Sequence, residues 1–238
     1  MQMGKNSRVL VISDLHAPYY HQDTIPFLKA IKELFEPDRI ILTGDEADYH
    51  CLSFHDTDPD LPFSPSSELE KTIEHLKPLY ELFPKADIME SNHGSMAYRR
   101  GKHHGIPRHI LKDYRDVLEA PRTWKWHNDL TITLSDGRDC YFTHGKSPDG
   151  LKLSQSMSCN SVQGHHHSIF EIKYFANHKD LFWAMTVGCL IDDKSMAFAY
   201  NKLQLKRPLI GVGIILDGQP KLLPMILNKD GRWIRKIV

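Results

Sequence analysis

The chain has 238 residues, 41% apolar and 25% charged, enough to bury a sizeable core without disulfide or metal staples. Its 30 basic and 30 acidic side chains cancel, which excludes a strong overall attraction to nucleic acid or an acidic membrane but leaves room for a local basic patch. Cys51, Cys140, Cys159 and Cys189 form no C-x-x-C pair, and the sequence shows neither a signal-peptide pattern nor an apolar run of bilayer length, so a zinc finger and a membrane span are excluded and a cytoplasmic location is expected.

Arg8 to Ser13 (RVLVIS) is a continuous apolar run, the pattern of a strand buried on both faces. Asp23 to Phe35 is predicted helical from Ile25, Leu28, Ile31, Leu34 and Phe35; Asp23 is placed to cap it and Pro26 falls in its first turn. Asp38 to Gly44 is a second buried strand. The Pro-, Asp- and Ser-rich stretch from His55 to Ser67 is a loop. Ser67 and Glu70 make a capping box for a helix that runs to about Phe83 with a kink at Pro78. Ala86 to Ser91 is a third strand, and this β-α-β-α-β order implies a parallel sheet with right-handed crossovers. A further helix is expected over Gly105 to Glu119. Beyond it the chain turns β-rich: Leu130 to Gly145 reads as a hairpin turning at Asp136-Gly137, and strands are predicted near Ser168 to Phe175, Leu181 to Val187, Leu209 to Leu216 and Leu222 to Leu227. No linker or repeat divides the chain, so one domain over residues 1–238 is expected.

The chemistry gathers where strands end. The first strand runs into Asp14 and His16, the second into Asp45 and Asp48, and the third into Asn92 and His93. The hairpin strand ends at His144, and a later one at Gly164-His165-His166-His167. In extended backbone His165 and His167 share a face, which begins a metal site or makes a polar surface loop. Any one of these residues also reads as a cap or turn, but in α/β folds the carboxyl ends of strands line the ligand crevice, and five such ends together point to a site. Asp, Asn and His suit borderline divalent ions such as Mn²⁺, Fe²⁺, Ni²⁺ or Zn²⁺. Two ions ~3.5–4 Å apart, bridged by one carboxylate, can clamp both sides of an in-line phosphoryl displacement.

In this order the motifs D-x-H, G-D-x-x-D, N-H, H-G and G-H-x-H resemble the calcineurin-like metallophosphoesterase superfamily, over roughly Arg8 to Ser168. The tail, with GCLIDD and IGVGIILDG, is similar to a small subgroup met in bacteriophage and prophage genomes, which would place the protein in a host cytoplasm. The resemblance implies an α/β fold, a four-layer α/β/β/α sandwich of two mixed sheets flanked by helices. It also implies two divalent metal ions, Mn²⁺ first among them. Asp14, His16 and His167 would hold one ion; Asn92, His144 and His165 would hold the other; Asp45 and a hydroxide would bridge them. His93 would give a proton to the leaving group, and Asp48 would fix the loop after Asp45.

Arg99 and Arg100 can bind phosphate oxygens or lie on a solvated helix face, and His103, His104 and His109 read as helix-surface residues. Two positions depart from the family pattern: Ser91 stands where a turn glycine is usual, and Gly94 where a carboxylate is usual. Tyr49-His50 after Asp48 departs from the Asp-Arg-Gly of protein phosphatases. The expected activity is therefore hydrolysis of a phosphodiester or nucleotide-type phosphoester, with a nucleotide or nucleic-acid end as substrate. The alternatives are a broad phosphomonoesterase and a non-catalytic scaffold of the retromer-subunit kind.

Overall fold

The computed structural model describes residues 6–54, 63–192, 194 and 207–237. Part of the polar insert after His50 and Asp193 of the tail motif lie outside these described residues. In chain order the elements are β1 (Arg8–Ile12), α1 (Thr24–Phe35), β2 (Arg39–Leu42), α2 (Pro65–Leu82), β3 (Ala86–Met89), α3 (Met96–His103), α4 (Tyr114–Val117) and β4 (Trp124–His127). They continue with β5 (Leu130–Thr133), β6 (Asp139–Thr143), α5 (Gly150–Met157), β7 (Asn160–Gln163), β8 (Glu171–Ala176), β9 (Leu181–Thr186), β10 (Gly211–Leu216) and β11 (Gln219–Pro224).

Two mixed sheets result, ordered β11-β10-β1-β2-β3-β4 and β5-β6-β7-β9-β8. β1 to β4 are parallel, as the βαβ order requires, and β10 joins the outer side of β1 antiparallel. The alternation along β1 shows why its sequence is apolar throughout. Leu10 and Ile12 pack with Leu28, Ile31 and Leu76 under α1 and α2, while Val9 and Val11 face Phe142, Val162 and Met185 between the sheets. α5 lies over β7 and β9 on the other face, where Gly150 approaches Gln163 and Thr186. The layers are thus α/β/β/α, as expected. Among the described residues no helix is long and apolar enough to cross a membrane.

Several local expectations need correction. The helix over Gly105 to Glu119 does not form. Gly105 takes φ +73° behind the end of α3, and Pro107 restricts the residue before it, so only a 3₁₀ turn (Arg108–Ile110) and the short α4 come after them. α2 begins earlier than expected, capped by Ser64 and Ser67 with Pro65 at its first position, and continues past Pro78 to Leu82. β4 and α5 were not foreseen from the sequence. β11 begins at Gln219, three residues before the predicted Leu222, because it pairs with β10 across the tight turn at Asp217-Gly218.

Asp23 sits at the start of α1 but its carboxylate does not cap the helix. It accepts from Arg232 (2.8 and 2.6 Å) and from the Trp233 N–H (2.9 Å), tying the chain's last described segment to α1. The Arg232 guanidinium holds the Asp23 carboxyl down to about 2. A depressed carboxylate stabilises the fold above its unfolded value, about 3.8, and that contribution is lost as pH falls from there towards about 2. Because the Arg232 side chain is half exposed, the expected cost of Asp23→Asn near neutral pH is only about 1–2 kcal/mol. Urea unfolding of the two proteins should show this difference at pH 7 and its shrinkage below pH ~3.8.

Candidate metal centre

The residues that end β1, β2, β3, β6 and β7 meet at one end of the two sheets. The loops after β1 and β2 stay hydrogen-bonded beyond the strands: the Asp14 N–H donates to Gly44 O (3.2 Å), and the His16 N–H donates to Asp45 O (2.8 Å). Asp14, His16 and Asp45 all have left-handed backbone (φ +48°, +52° and +51°), which turns their side chains off the strand direction and into the crevice. The Gly164–His167 segment does the same by a different route from the extended one expected. His165 is left-handed (φ +67°) and the His166 N–H donates back to Gly164 O (2.8 Å), so a tight turn, not strand alternation, brings His165 and His167 to one side.

The donor atoms converge in two groups that meet at Asp45. His167 Nε2 lies 3.1 Å from both Asp14 Oδ1 and His16 Nε2. His144 Nε2 lies 3.2 Å from Asp45 Oδ2, 2.7 Å from Asn92 Oδ1 and 3.1 Å from His165 Nδ1. Asp45 Oδ2 is in turn 3.6 Å from His16 Nε2. Asp14, His16 and His167 offer three ligand atoms within 4.8 Å of one another, and so do Asp45, His144 and His165. His16, Asp45 and His93 form a third such set.

Residues 7–188 match the family model described as calcineurin-like phosphoesterase. The chain belongs to the calcineurin-like phosphoesterase family. No curated protein sequence is significantly similar to it. Solved structures similar to this calcineurin-like phosphoesterase include Vacuolar Protein Sorting 29 from Cryptosporidium parvum, 14% identical, TM-score 0.49, with 98% of this chain and 95% of that one covered. Vps29 from Entamoeba histolytica, in complex with zinc, is 14% identical with TM-score 0.46, covering 97% and 98%. The Pseudomonas putida nuclease MPE is 11% identical with TM-score 0.36, covering 93% of each chain.

The groups behind the donors suit a calcineurin-like phosphoesterase that holds cations. Asp48 Oδ1 is 2.6 Å from His16 Nδ1 and Thr43 O is 2.8 Å from His144 Nδ1, so each imidazole presents Nε2 forward. Asp14 Oδ2 accepts from the His165 N–H (2.9 Å) and from the Ser13 hydroxyl, which Thr43 Oγ1 supports at 2.7 Å. Gly164 is what lets these groups approach: a Cβ there would lie 2.5 Å from Asp14 Oδ2 and 2.6 Å from Thr43 Oγ1. Burial alone would raise the Asp14 carboxyl, but His16 and His167 hold it well below the carboxylate range. Burial would lower His144, but the Asp45 carboxylate beside it wins and pushes it up to about 9. In the same way Asp14 and Asp48 overcome burial and hold His16 well above the usual imidazole value. The buried acids thus call for positive charge among them, and a cation taking these ligands must displace protons. Nitrogen and carboxylate or amide oxygen donors with no thiolate suit a borderline divalent ion. Asp48→Asn is expected to weaken metal affinity about 10–100-fold with the fold retained, as read by competition with a chromophoric chelator.

His93 stands beside both donor groups. Its N–H donates to Asp45 Oδ1 (3.1 Å), its Nδ1 is held by Asp48 O, and its ring packs edge-on against His16 (centroids 4.7 Å apart). The turn that carries it accommodates Ser91 in place of the usual glycine. Ser91 needs no left-handed backbone, and its Oγ accepts the Gly94 N–H (3.1 Å). Arg99 donates to Asn92 O (2.8 Å). Arg100 spends its Nε on Leu52 O (2.9 Å) and its Nη2 on Ser53 O, which pins the loop after Asp48. His103, His104 and His109 are exposed, and none of them belongs to a donor set. Ser13, Thr43 and the part played by Gly164 were not found from the sequence: a serine, a threonine and a glycine next to ligands carry no spacing signal of their own.

Proposed function

We propose that the protein is a dinuclear metal-dependent phosphoesterase acting on phosphodiesters or nucleotide-type phosphoesters. The observation that carries this reading is the pair of three-donor groups, Asp14–His16–His167 and Asp45–His144–His165, with Asp45 Oδ2 lying 3.6 Å from His16 Nε2 between them. Asp14, His16 and His167 would hold one divalent ion and Asn92, His144 and His165 the other, with Asp45 shared and Mn²⁺ the first choice. When bound, the two ions would supply Lewis-acid charge to the phosphoester and lower the pKa of water.

The chain's own residues do the rest. Asp48 and Thr43 O fix the tautomers of His16 and His144. His93, with Nδ1 engaged by Asp48 O, keeps Nε2 as the ring nitrogen that would donate a proton to the departing oxygen. Arg99, which donates to Asn92 O, would meet a phosphate oxygen, whereas Arg100 would act through the loop it pins. Tyr49, buried and left-handed where protein phosphatases carry arginine, supports a substrate other than a phosphoprotein, and the phage-like tail supports a nucleotide-type one. The test is turnover of bis(p-nitrophenyl) phosphate against the mono-ester with added Mn²⁺. Faster diester hydrolysis, lost with a chelator and restored by metal, is the expected result. Preference for the mono-ester would make the protein a phosphomonoesterase, and no turnover of either with metal bound would make it a scaffold.

A further inference from the structure

The chain is neutral overall, yet from Ser91 to Lys112 it carries Arg99, Arg100, Lys102, Arg108 and Lys112 and no acidic residue. This run starts at the turn that presents Asn92 and His93 and continues through α3, which spans about 12 Å. Beyond α3 the chain folds back against the helix. The Ile106 N–H donates to Gly101 O (2.8 Å), and Leu111 packs over Gly101 so closely that a Cβ there would lie 3.1 Å from Leu111 Cδ1. Residues 102–110 are nonetheless all exposed, so the cations are displayed on a built hook. Two guanidinium–aromatic pairs lie along it: Arg108 over Tyr98 (5.2 Å) and Arg100 over Phe54 (4.3 Å). The first acids beyond the run are engaged elsewhere: Asp113 caps α4 and Asp116 pairs with Arg115.

We infer that this basic hook is a docking track for single-stranded nucleic acid, carrying the strand away from a phosphodiester held at the centre. The inference rests on the phosphodiesterase reading of that centre. Cations fixed along a folded track can meet successive phosphates, and aromatic faces beside them can stack bases. At ~3.4 Å per nucleotide the length of α3 matches about three or four stacked nucleotides. A membrane surface fits less well, because the exposed large apolar side chains on the hook are only Ile106 and Ile110, too few for an inserting face.

The test uses the full chain with metal chelated, so that binding is read without cleavage. The probe is a fluorescein-labelled oligothymidylate of ~20 nucleotides, followed by anisotropy between about 50 and 200 mM salt. The wild type is expected to bind with a steep salt dependence. K102Q/R108Q/K112Q is expected to bind at least about tenfold more weakly, with a log–log salt slope shallower by about 2. K102Q/K112Q, which keeps the Arg108–Tyr98 pair, should shift the slope by about 1, and K102R/K112R should bind as the wild type does. With metal restored, the ratio of oligonucleotide to bis(p-nitrophenyl) phosphate hydrolysis should fall in the glutamine variants. Unchanged affinity and slope in both glutamine variants, no binding of the oligonucleotide by the wild type, or binding of phosphatidylserine vesicles in its place, would overturn the inference. Failure of the phosphodiesterase reading would show separately, as absent turnover of bis(p-nitrophenyl) phosphate.

Discussion

Asp45→Asn is expected to abolish both stoichiometric metal binding and turnover, the latter by about 10³-fold or more. The size of the effect comes from position. Asp45 is buried, its Oδ2 lies 3.2 Å from His144 Nε2 and 3.6 Å from His16 Nε2, and it belongs to two of the three donor sets at the centre. An amide is nearly the same size but carries no charge, so both sets lose their shared anion while the backbone turn is kept. Charge stabilisation of the transition state by bound ions is worth several kcal/mol, and each ~1.4 kcal/mol is a factor of ten in rate. Metal content after dialysis, measured by mass spectrometry, and turnover of the diester read the two losses independently. Two ions retained per chain in the variant would show that Asp45 is not the shared ligand.

His93→Ala is expected to lose about 10²–10⁴ of the turnover while keeping its metal. The imidazole is held through Nδ1 by Asp48 O, and alanine keeps the N–H that donates to Asp45 Oδ1 at 3.1 Å. The seven ligands proposed for the two ions are therefore left in place, and what goes is the group proposed to protonate the leaving oxygen. This predicts a dependence that a structural role would not give. The loss should be large for an alkyl leaving group, which needs a proton, and much smaller for p-nitrophenolate, which does not. Equal losses for both leaving groups would point instead to a role in holding the turn.

Much of this arrangement is legible in the amino-acid sequence itself. β1, β2 and β3 announce themselves as apolar runs because both of their faces are covered, by α1 and α2 on one side and by the second sheet on the other. The donor residues stand out because they come directly after those strands, and a parallel sheet must bring such ends together. The hidden features depend on contacts across the fold. Asp23 looks like a helix cap, but Arg232 and Trp233, over two hundred residues away, compete for its carboxylate and win. The apolar and charged mixture from Gly105 to Glu119 has helical composition, but Gly105 and Pro107 interrupt it early. The turn at His165 escapes a periodicity argument, which assumes a regular backbone, because one left-handed residue reverses the pattern.

That same backbone habit has a further consequence. Asp14, His16, Asp45 and His165 each hold a conformation that disfavours a side chain by roughly 1–2 kcal/mol, so the centre draws on the stability of the two sheets beneath it. Glycine at these places would relieve the backbone but remove the side chains proposed to hold the ions, and at Asp14 also the acceptor of the His165 N–H and the Ser13 hydroxyl. With the proposed ligand roles, backbone ease and activity would be set against each other at these four positions.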